Sequence, residues 1–148
     1  MFNVMAIKSD DVESIWPSVR HYYEKIIADN PEYATMQFIY DKLIDGSYTL
    51  LAISHNDILV MSMVCEVVIC PTGQRILMIP HLAGVDMSQW IDELVKTLYL
   101  LAEDLQCEEV MISGGRMGWV KEMKRHGGEL SHVTVTFDVK KNIGNYHG

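Results

Sequence analysis

The sequence has few cysteines, and their spacing does not suggest crosslinks. Its 148 residues include only three, Cys65, Cys70 and Cys107. An odd number without close pairing argues against a disulfide framework, and the spacing of the first two fits no standard zinc site. We therefore expect reduced thiols in the core, in a reducing compartment, and no bound metal.

Long apolar runs are also missing. The longest, such as Ile58–Cys65, fall far below the roughly 20 residues that a membrane helix needs. The segment Met1–Ile7 lacks the basic start and long apolar stretch of a secretory signal. No internal repeat, linker or low-complexity segment is visible. With 49% hydrophobic and 22% charged residues, the chain is expected to fold as one soluble domain without membrane association.

Positive charge is scarce. Twelve Lys and Arg stand against twenty Asp and Glu, which gives a formal net charge of -8. A diffuse acidic surface repels phosphate backbones, so nucleic-acid binding is not expected. The densest basic group is Lys121, Lys124 and Arg125. It is typical of the solvated face of a helix, and a local anion contact is the alternative.

Apolar periodicity and turn residues predict alternating helices and strands. Helices are predicted over Val12–Ala28, Tyr33–Leu43, Gln89–Asp104 and Met117–His126. Strands are predicted over Phe2–Ile7, Tyr48–Ile53, Ile58–Ile69, Arg75–Val85, Val110–Ile112 and Leu130–Val139. The three central strands follow one another through short turns as an antiparallel meander, and the helix after them requires a parallel neighbour pair. The domain is expected to span residues 1–139, with a flexible, frayed tail over 140–148.

Two glycine pairs bracket the last predicted helix. Gly114-Gly115 precedes it and Gly127-Gly128 follows it. Glycine reaches positive φ at low cost, so the first pair would release the chain from a strand and the second would end the helix. The face predicted to pack against the sheet carries Met117, Val120 and Met123, with Trp119 beside it. Trp16, Trp90 and Trp119 all lie on predicted helices, where packing is expected over ligand stacking.

The order strand, helix, helix, three strands, helix, strand, helix, strand resembles the GNAT family of N-acetyltransferases. The stretch Met123-Lys124-Arg125-His126-Gly127 is similar to the aromatic-x-x-x-Gly end of that family's last helix. The resemblance implies an α+β fold, a mixed central β-sheet flanked by about four helices. It also implies that the sheet splays between its fourth and fifth strands and holds acetyl-CoA in the gap. The sequence looks most similar to divergent GNAT-like proteins of tailed bacteriophages, including internal virion proteins.

The sequence departs from the family pattern where acetyl-CoA would bind. The resemblance implies a Gln/Arg-x-x-Gly-x-Gly/Ala loop whose N–H groups cradle a pyrophosphate, but this chain has Leu82-Ala83-Gly84-Val85-Asp86-Met87-Ser88. Asp86 would place a carboxylate where the anion docks, and it also suits the ordinary role of a helix N-cap. The remaining candidates for cofactor binding are Leu82, Gly84 and Ser88.

The proton-transfer groups implied by the resemblance are also missing from their positions. Met123 stands where many family members have a tyrosine that acts as general acid. Many also use a glutamate on the fourth strand as base, but no glutamate occurs between Arg75 and Val85. His81 is a substitute candidate because imidazole titrates near neutral pH. Glu66 on the preceding strand is a second candidate, and a structural or surface role is the alternative for both. For Arg116 the sequence leaves two roles open, an anion contact and an ordinary surface position.

The sequence therefore predicts a degenerate, non-catalytic GNAT-like domain that acts in protein interaction or as a phage virion-associated component. It would need no cofactor, would reside in the host cytoplasm or the virion, and would bind a protein partner, with a homo-oligomer left open. The alternative is an active N-acetyltransferase that uses acetyl-CoA through a divergent loop and His81. A small-molecule binder that uses the splayed cleft is a third class.

Overall fold

The fold is described by a computed structural model for residues 1–29, 31, 34–113, 117–129 and 137–147, with only the backbone described at 117–120. The strands are β1 Phe2–Ile7, β2 Thr49–His55, β3 Ile58–Ile69, β4 Arg75–Gly84 and β5 Glu109–Ile112. The helices are α1 Val12–Asp29, α2 Met36–Ile44, α3 Met87–Asp104, α4 Met117–Lys124 and α5 Val139–Asn142. Short 3₁₀ turns lie at Ser9–Asp11 and Ile143–Tyr146.

The strands form one mixed sheet in the order β1-β2-β3-β4-β5. The first four are antiparallel neighbours, and β5 joins β4 in parallel, because α3 carries the chain across between them. The predicted meander and parallel pair are both confirmed. The β2–β3 hairpin turns through Asn56 and Asp57 at φ 52° and 65°, as a two-residue hairpin with both central residues at positive φ requires.

The two faces of the sheet carry separate cores. Against α1 and α2 pack the buried side chains of Val12, Val19, Tyr23, Ile39, Leu43, Tyr48, Leu50 and Val64. Against α3 pack those of Leu51, Ile53, Met61, Met63, Cys65, Leu77, Ile79, Leu82, Trp90, Ile91, Leu94, Leu98 and Ala102. Both cores are apolar, so burial stabilises each by the hydrophobic effect. The predicted packing role of Trp16 is confirmed by its stacking on Tyr23.

Helix starts differ by a few residues from the sequence prediction. α2 begins at Met36, not near Tyr33, because Thr35 caps it: the Phe38 N–H donates to the Thr35 hydroxyl at 3.1 Å. Tyr33 itself lies outside the described residues. α3 begins at Met87, two residues before the predicted Gln89. Among the described helices, none has the length and apolar character needed to cross a membrane.

The three cysteines are free thiols, as predicted. Cys65 is buried in the core under α3, and Cys70 and Cys107 are half-buried. Burial raises the pKa of the Cys65 thiol to about 12. That side chain therefore stays protonated at neutral pH and acts as a small apolar group.

The end of α4 confirms the role predicted for Gly127. The Gly128 N–H donates to the Met123 carbonyl at 2.9 Å and the Gly127 N–H to the Lys124 carbonyl at 3.2 Å. Gly127 has φ +90°. These two bonds with a glycine in the left-handed region are the Schellman motif, which satisfies carbonyls that a helix end leaves free.

Several predictions on α4 and the segment before it concern residues that are not described. The pairing and conformation of Gly114, Gly115 and Arg116 fall in this group, as do the side chains of Met117, Trp119 and Val120. Met123 packs against the core under α3, as predicted. Lys121, Lys124 and Arg125 are exposed, which agrees with a solvated face.

The predicted strand Leu130–Val139 is wrong at its end. Residues 130–136 lie outside the described part, but Phe137 and Asp138 are not in a strand and Val139 begins α5. The reason is a helix cap that the strand pattern hid: the Lys141 N–H donates to the Asp138 carboxylate at 2.9 Å. Residues 140–146, part of the tail expected to be frayed, therefore form helical turns together with Val139. The domain boundary and the mobility of the tail stay predictions.

Candidate functional site

Within the described residues, β4 is paired on both edges along its first half. Ile79 is its last residue in register with β5, opposite Ile112, and the Ser113 N–H still reaches the Ile79 carbonyl at 3.2 Å. Residues 80–84 continue beside β3, but no described residue pairs with their other edge. The splay predicted between the fourth and fifth strands would begin here, and it stays a prediction because residues 114–116, which follow β5, lie outside the described part.

A β-bulge lies at the start of the opening. From Val64 to Glu66 β3 advances by two residues, while from His81 to Met78 β4 advances by three. The extra residue is therefore in β4, beside Pro80. The bulge reverses the alternation of side chains, so that Ile79 and Leu82 both belong to the core under α3. A proline in the middle of a strand is the sequence signal for a bulge, and the pattern analysis did not use it.

The open edge of β4 presents backbone hydrogen-bonding groups. The Val85 N–H donates to the Val60 carbonyl of β3 at 2.9 Å. Because backbone groups alternate along an antiparallel ladder, those of Leu82 and Gly84 point the opposite way, to the open edge. An extended ligand that carries amides can pair with such an edge. The Leu82 side chain is buried in the core, so this candidate residue offers a ligand only its backbone.

The start of α3 follows the open edge after two residues. Asp86 occupies the N-cap position with φ 52° and ψ 53°, and its side chain makes no capping hydrogen bond. Asp86 is therefore the N-cap residue, as suggested, and its carbonyl accepts from the Gln89 N–H at 2.9 Å. Its side chain does not cap, because a capping side chain needs an extended backbone to reach the first helical N–H groups. The N–H groups of Met87 and Ser88 have no acceptor among the described residues, and Ser88 is exposed.

Gly84 is packed against protein atoms. A Cβ added there would lie 2.7 Å from the Val60 carbonyl oxygen and 2.8 Å from the Trp90 ring. Trp90 is buried, and its indole N–H donates to the Val85 carbonyl. The absent side chain thus makes room for Trp90 and for β3, a packing reason that the sequence analysis missed.

His81 and Glu66 lie on the other face of the sheet from Leu82. His81 is opposite Val64, which belongs to the core under α1 and α2, and cross-strand partners share a face. Glu66 follows two residues along β3 on that same face. Burial lowers the pKa of the His81 imidazole, so it is neutral at pH 7 and able to accept a proton. No hydrogen bond or ion pair within the described chain joins these two side chains.

The end of α4 contributes no proton donor at the position of Met123. His126 lies nearby with its Nε2 atom 3.1 Å from the Asp92 Oδ1 atom of α3, although the two are not aligned as a hydrogen bond. Arg125 pairs with Glu122 at 2.9 Å on the exposed side. Over the residues that the structure covers, no cluster of His, Cys, Asp or Glu is arranged to hold a metal ion.

Solved acetyltransferase structures share this fold over nearly the whole chain. An aminoglycoside acetyltransferase from an uncultured soil metagenomic sample matches with a TM-score of 0.68 and 12% identity, over 93% of this chain and 95% of that one. A ribosomal-protein-alanine N-acetyltransferase from Brucella melitensis matches with a TM-score of 0.61 and 14% identity, over 93% and 100%. A predicted acetyltransferase from Clostridium acetobutylicum, solved with acetyl-CoA, matches with a TM-score of 0.64 and 13% identity, over 95% and 98%.

These likenesses define the class of fold. The chain has the α+β GNAT acyltransferase fold, as its element order predicted. No protein-family model matches the sequence, and no curated protein sequence matches it.

Proposed function

We propose that this chain is a GNAT-fold domain that does not transfer acetyl groups and acts as a protein-interaction component. The observation that carries the proposal is the connection from β4 to α3, where a cofactor phosphate would dock. There Trp90 fills the space beside Gly84, and Asp86 exposes a carboxylate that caps nothing.

The carboxylate of Asp86 opposes the binding of a phosphate at the start of α3. A helix N-terminus at an exposed position stabilises an anion by about 0.3–1 kcal/mol. A carboxylate about 4 Å from a negative charge repels it by about 1 kcal/mol in water, and by about 4 kcal/mol at an effective dielectric near 20. The repulsion therefore equals or exceeds the attraction that the start of α3 offers to a phosphate.

Two further features support an interaction role. Met123 stands where the resemblance implies a proton donor, and a thioether has no proton to give. Large apolar side chains are also exposed on α3 and in the C-terminal segment, at Tyr99, Leu100, Val139 and Tyr146. Exposed apolar side chains of this size are available for contact with another protein.

Calorimetric titration with acetyl-CoA tests the proposal. We expect no dissociation constant below about 10 μM, which corresponds to about -7 kcal/mol. Asp86→Gly should tighten whatever binding exists, because it removes the negative charge beside the free N–H groups. Asp57→Gly is the matched control, since Asp57 is also exposed and has positive φ but lies in the β2–β3 hairpin. Tight binding by the unaltered chain would contradict the proposal.

A second function, N-acetyl transfer, is favoured by the open edge of β4. In that case the backbone groups of Leu82 and Gly84 and the N–H groups of Met87 and Ser88 would hold acetyl-CoA. The likeness to a structure solved with acetyl-CoA supports this alternative. A thiol-release assay with a panel of amines tests it. Turnover that His81→Gln abolishes and the exposed-residue control His21→Gln preserves would establish the transferase instead.

The resemblance to internal virion proteins extends the proposal to a place in a phage particle. Mass spectrometry of gradient-purified particles tests this part separately. A reproducible copy number per particle is the expected result, and absence of the chain from particles would overturn it.

A further inference from the structure

An apolar groove lies between α3 and the edge strand β1. Its volume is about 430 Å³, and its lining includes Val4, Ala6, Leu51, Leu100, Leu101 and Asp104. Leu100 is 57% exposed although it sits among apolar neighbours. Asp104 is the charged side chain in this lining. The groove is therefore apolar along its floor and negative at one point.

The C-terminal segment has the complementary character. Val139, Ile143 and Tyr146 follow one another at spacings of four and three, which places them on one side of a helical segment. All three are exposed, at 65%, 43% and 82%. A helix this short does not form alone in water, yet Asp138 caps it. The sequence thus specifies a helical segment whose apolar side chains remain exposed.

The charges of the two surfaces are also complementary. Residues 139–147 contain Lys140 and Lys141 and no acidic residue, in a chain whose formal net charge is -8. Asp104 lines the groove, and Glu103 beside it is exposed. Opposite charges at a contact of this kind guide the orientation of binding.

We propose that residues 139–146 of a second copy of this chain occupy the groove, with the two lysines beside Asp104. Within one copy the segment leaves the groove open, and a twofold arrangement lets each copy fill the groove of the other. The inference rests on the proposed interaction function and names one partner for it. The apolar side of the segment would contact Leu100 and Leu101.

Sedimentation velocity over a concentration series tests the proposal through a charge exchange. Lys140→Glu/Lys141→Glu should weaken dimerisation at least tenfold, and so should Asp104→Lys. Combining all three changes should restore it, because the contact is then reversed in sign. Lys121→Glu/Lys124→Glu, which alters two exposed lysines on α4, is the control and should leave the dimer unchanged.

A mixing experiment separates the groove from the segment. Leu100→Asp damages the groove, and a chain ending at Asp138 lacks the segment, so each should be monomeric. Their mixture should form a one-to-one complex, since one copy supplies the segment and the other the groove. Circular dichroism melts confirm that both variants are folded, and the charge exchange stands independently of them.

Two outcomes would overturn the inference. One is a chain that stays monomeric at about 100 μM. If, in that case, Leu100→Asp increases hydrogen exchange in residues 139–146, the segment fills the groove of the same copy. The other is a dimer that ignores the charge exchange. Neither outcome touches the acetyl-CoA titration, so a failure here is distinguishable from a failure of the proposed function.

Discussion

The start of α3 and the end of α4 both have a glycine near a helix terminus, but the two glycines do different things. Gly127 has φ +90° and completes the hydrogen bonds that end α4. Gly84 lies in β4 without a positive φ and is there because Val60 and Trp90 approach it closely. At the start of α3 the left-handed residue is Asp86. A glycine near a helix end therefore has one of two causes. At the end of α4 it is a left-handed backbone, and at the start of α3 it is close packing.

This difference decides what each terminus can offer to a ligand. The carbonyl groups at the end of α4 accept hydrogen bonds from the next residues in sequence, Gly127 and Gly128. The start of α3 keeps two N–H groups without a described acceptor. However, Gly84 before it is packed against Val60 and Trp90, and Asp86 at its N-cap position is acidic. The terminus that resembles a cofactor site is thus the one whose features serve packing.

The largest effect is expected from filling the space at Gly84. Gly84→Ala puts a Cβ 2.7 Å from a backbone oxygen of β3, so β3, β4 or Trp90 must move, at a cost of about 3 kcal/mol. Urea unfolding measures it. The control is Gly144→Ala, because a Cβ there meets nothing within 4 Å. Equal stabilities for the two variants would show that Gly84 is not needed for packing.

A smaller cost is expected at Gly127. Gly127→Ala forces a side chain into the left-handed region, which costs about 1–2 kcal/mol. Gly127→Asn should cost less, since asparagine adopts this conformation more readily. If the cost comes from the backbone conformation, the measured free energy of unfolding should decrease in the order Gly, Asn, Ala at position 127. If alanine were tolerated as well as asparagine, the backbone strain would not be the cause.

His81 lies six residues before the start of α3, on the other face of the sheet, and it gives the stability of the fold a pH dependence. Burial lowers its folded-state pKa below the ordinary value of 6.5, so the unfolded chain binds more protons below about pH 6.5. The free energy of unfolding should therefore fall as pH decreases from 6.5 towards the folded-state pKa. His81→Gln should flatten this part of the profile, and His21→Gln, at an exposed position, should not. An unchanged profile in His81→Gln would contradict the assigned burial effect.

The smallest effect is expected on the exposed side of α4. Lys124→Ala removes a side chain that is exposed, and its unfolding free energy should change by less than about 0.5 kcal/mol. Thermal melts with and without added phosphate check it. A large loss of stability confined to phosphate buffer would instead favour an anion contact on this helix.

The described sheet and the parallel pairing of β4 with β5 could be predicted from the element order, and the end of α4 from Gly127-Gly128, because all of these follow from local patterns. The bulge at Pro80 was missed because a continuous apolar strand was assumed across it. The close approach of Trp90 to Gly84 depends on three elements meeting, which no local pattern records. α5 was missed because alternating residues up to Phe137 masked the cap at Asp138. The same limit applies to His81 and Glu66: sequence proposed them separately, and only the register places them on one face.

The most direct test of the central claim is hydrogen exchange of the backbone amides of Leu82, Gly84, Met87 and Ser88, resolved by nuclear magnetic resonance, with and without 1 mM acetyl-CoA (about a hundredfold above the 10 μM threshold). These are the groups that the open edge of β4 and the start of α3 would offer to the cofactor. A domain that does not bind acetyl-CoA predicts the same four exchange rates in both samples. Protection of Leu82 and Gly84 together with Met87 and Ser88 would contradict it, because that pattern requires a ligand lying along β4 and against α3.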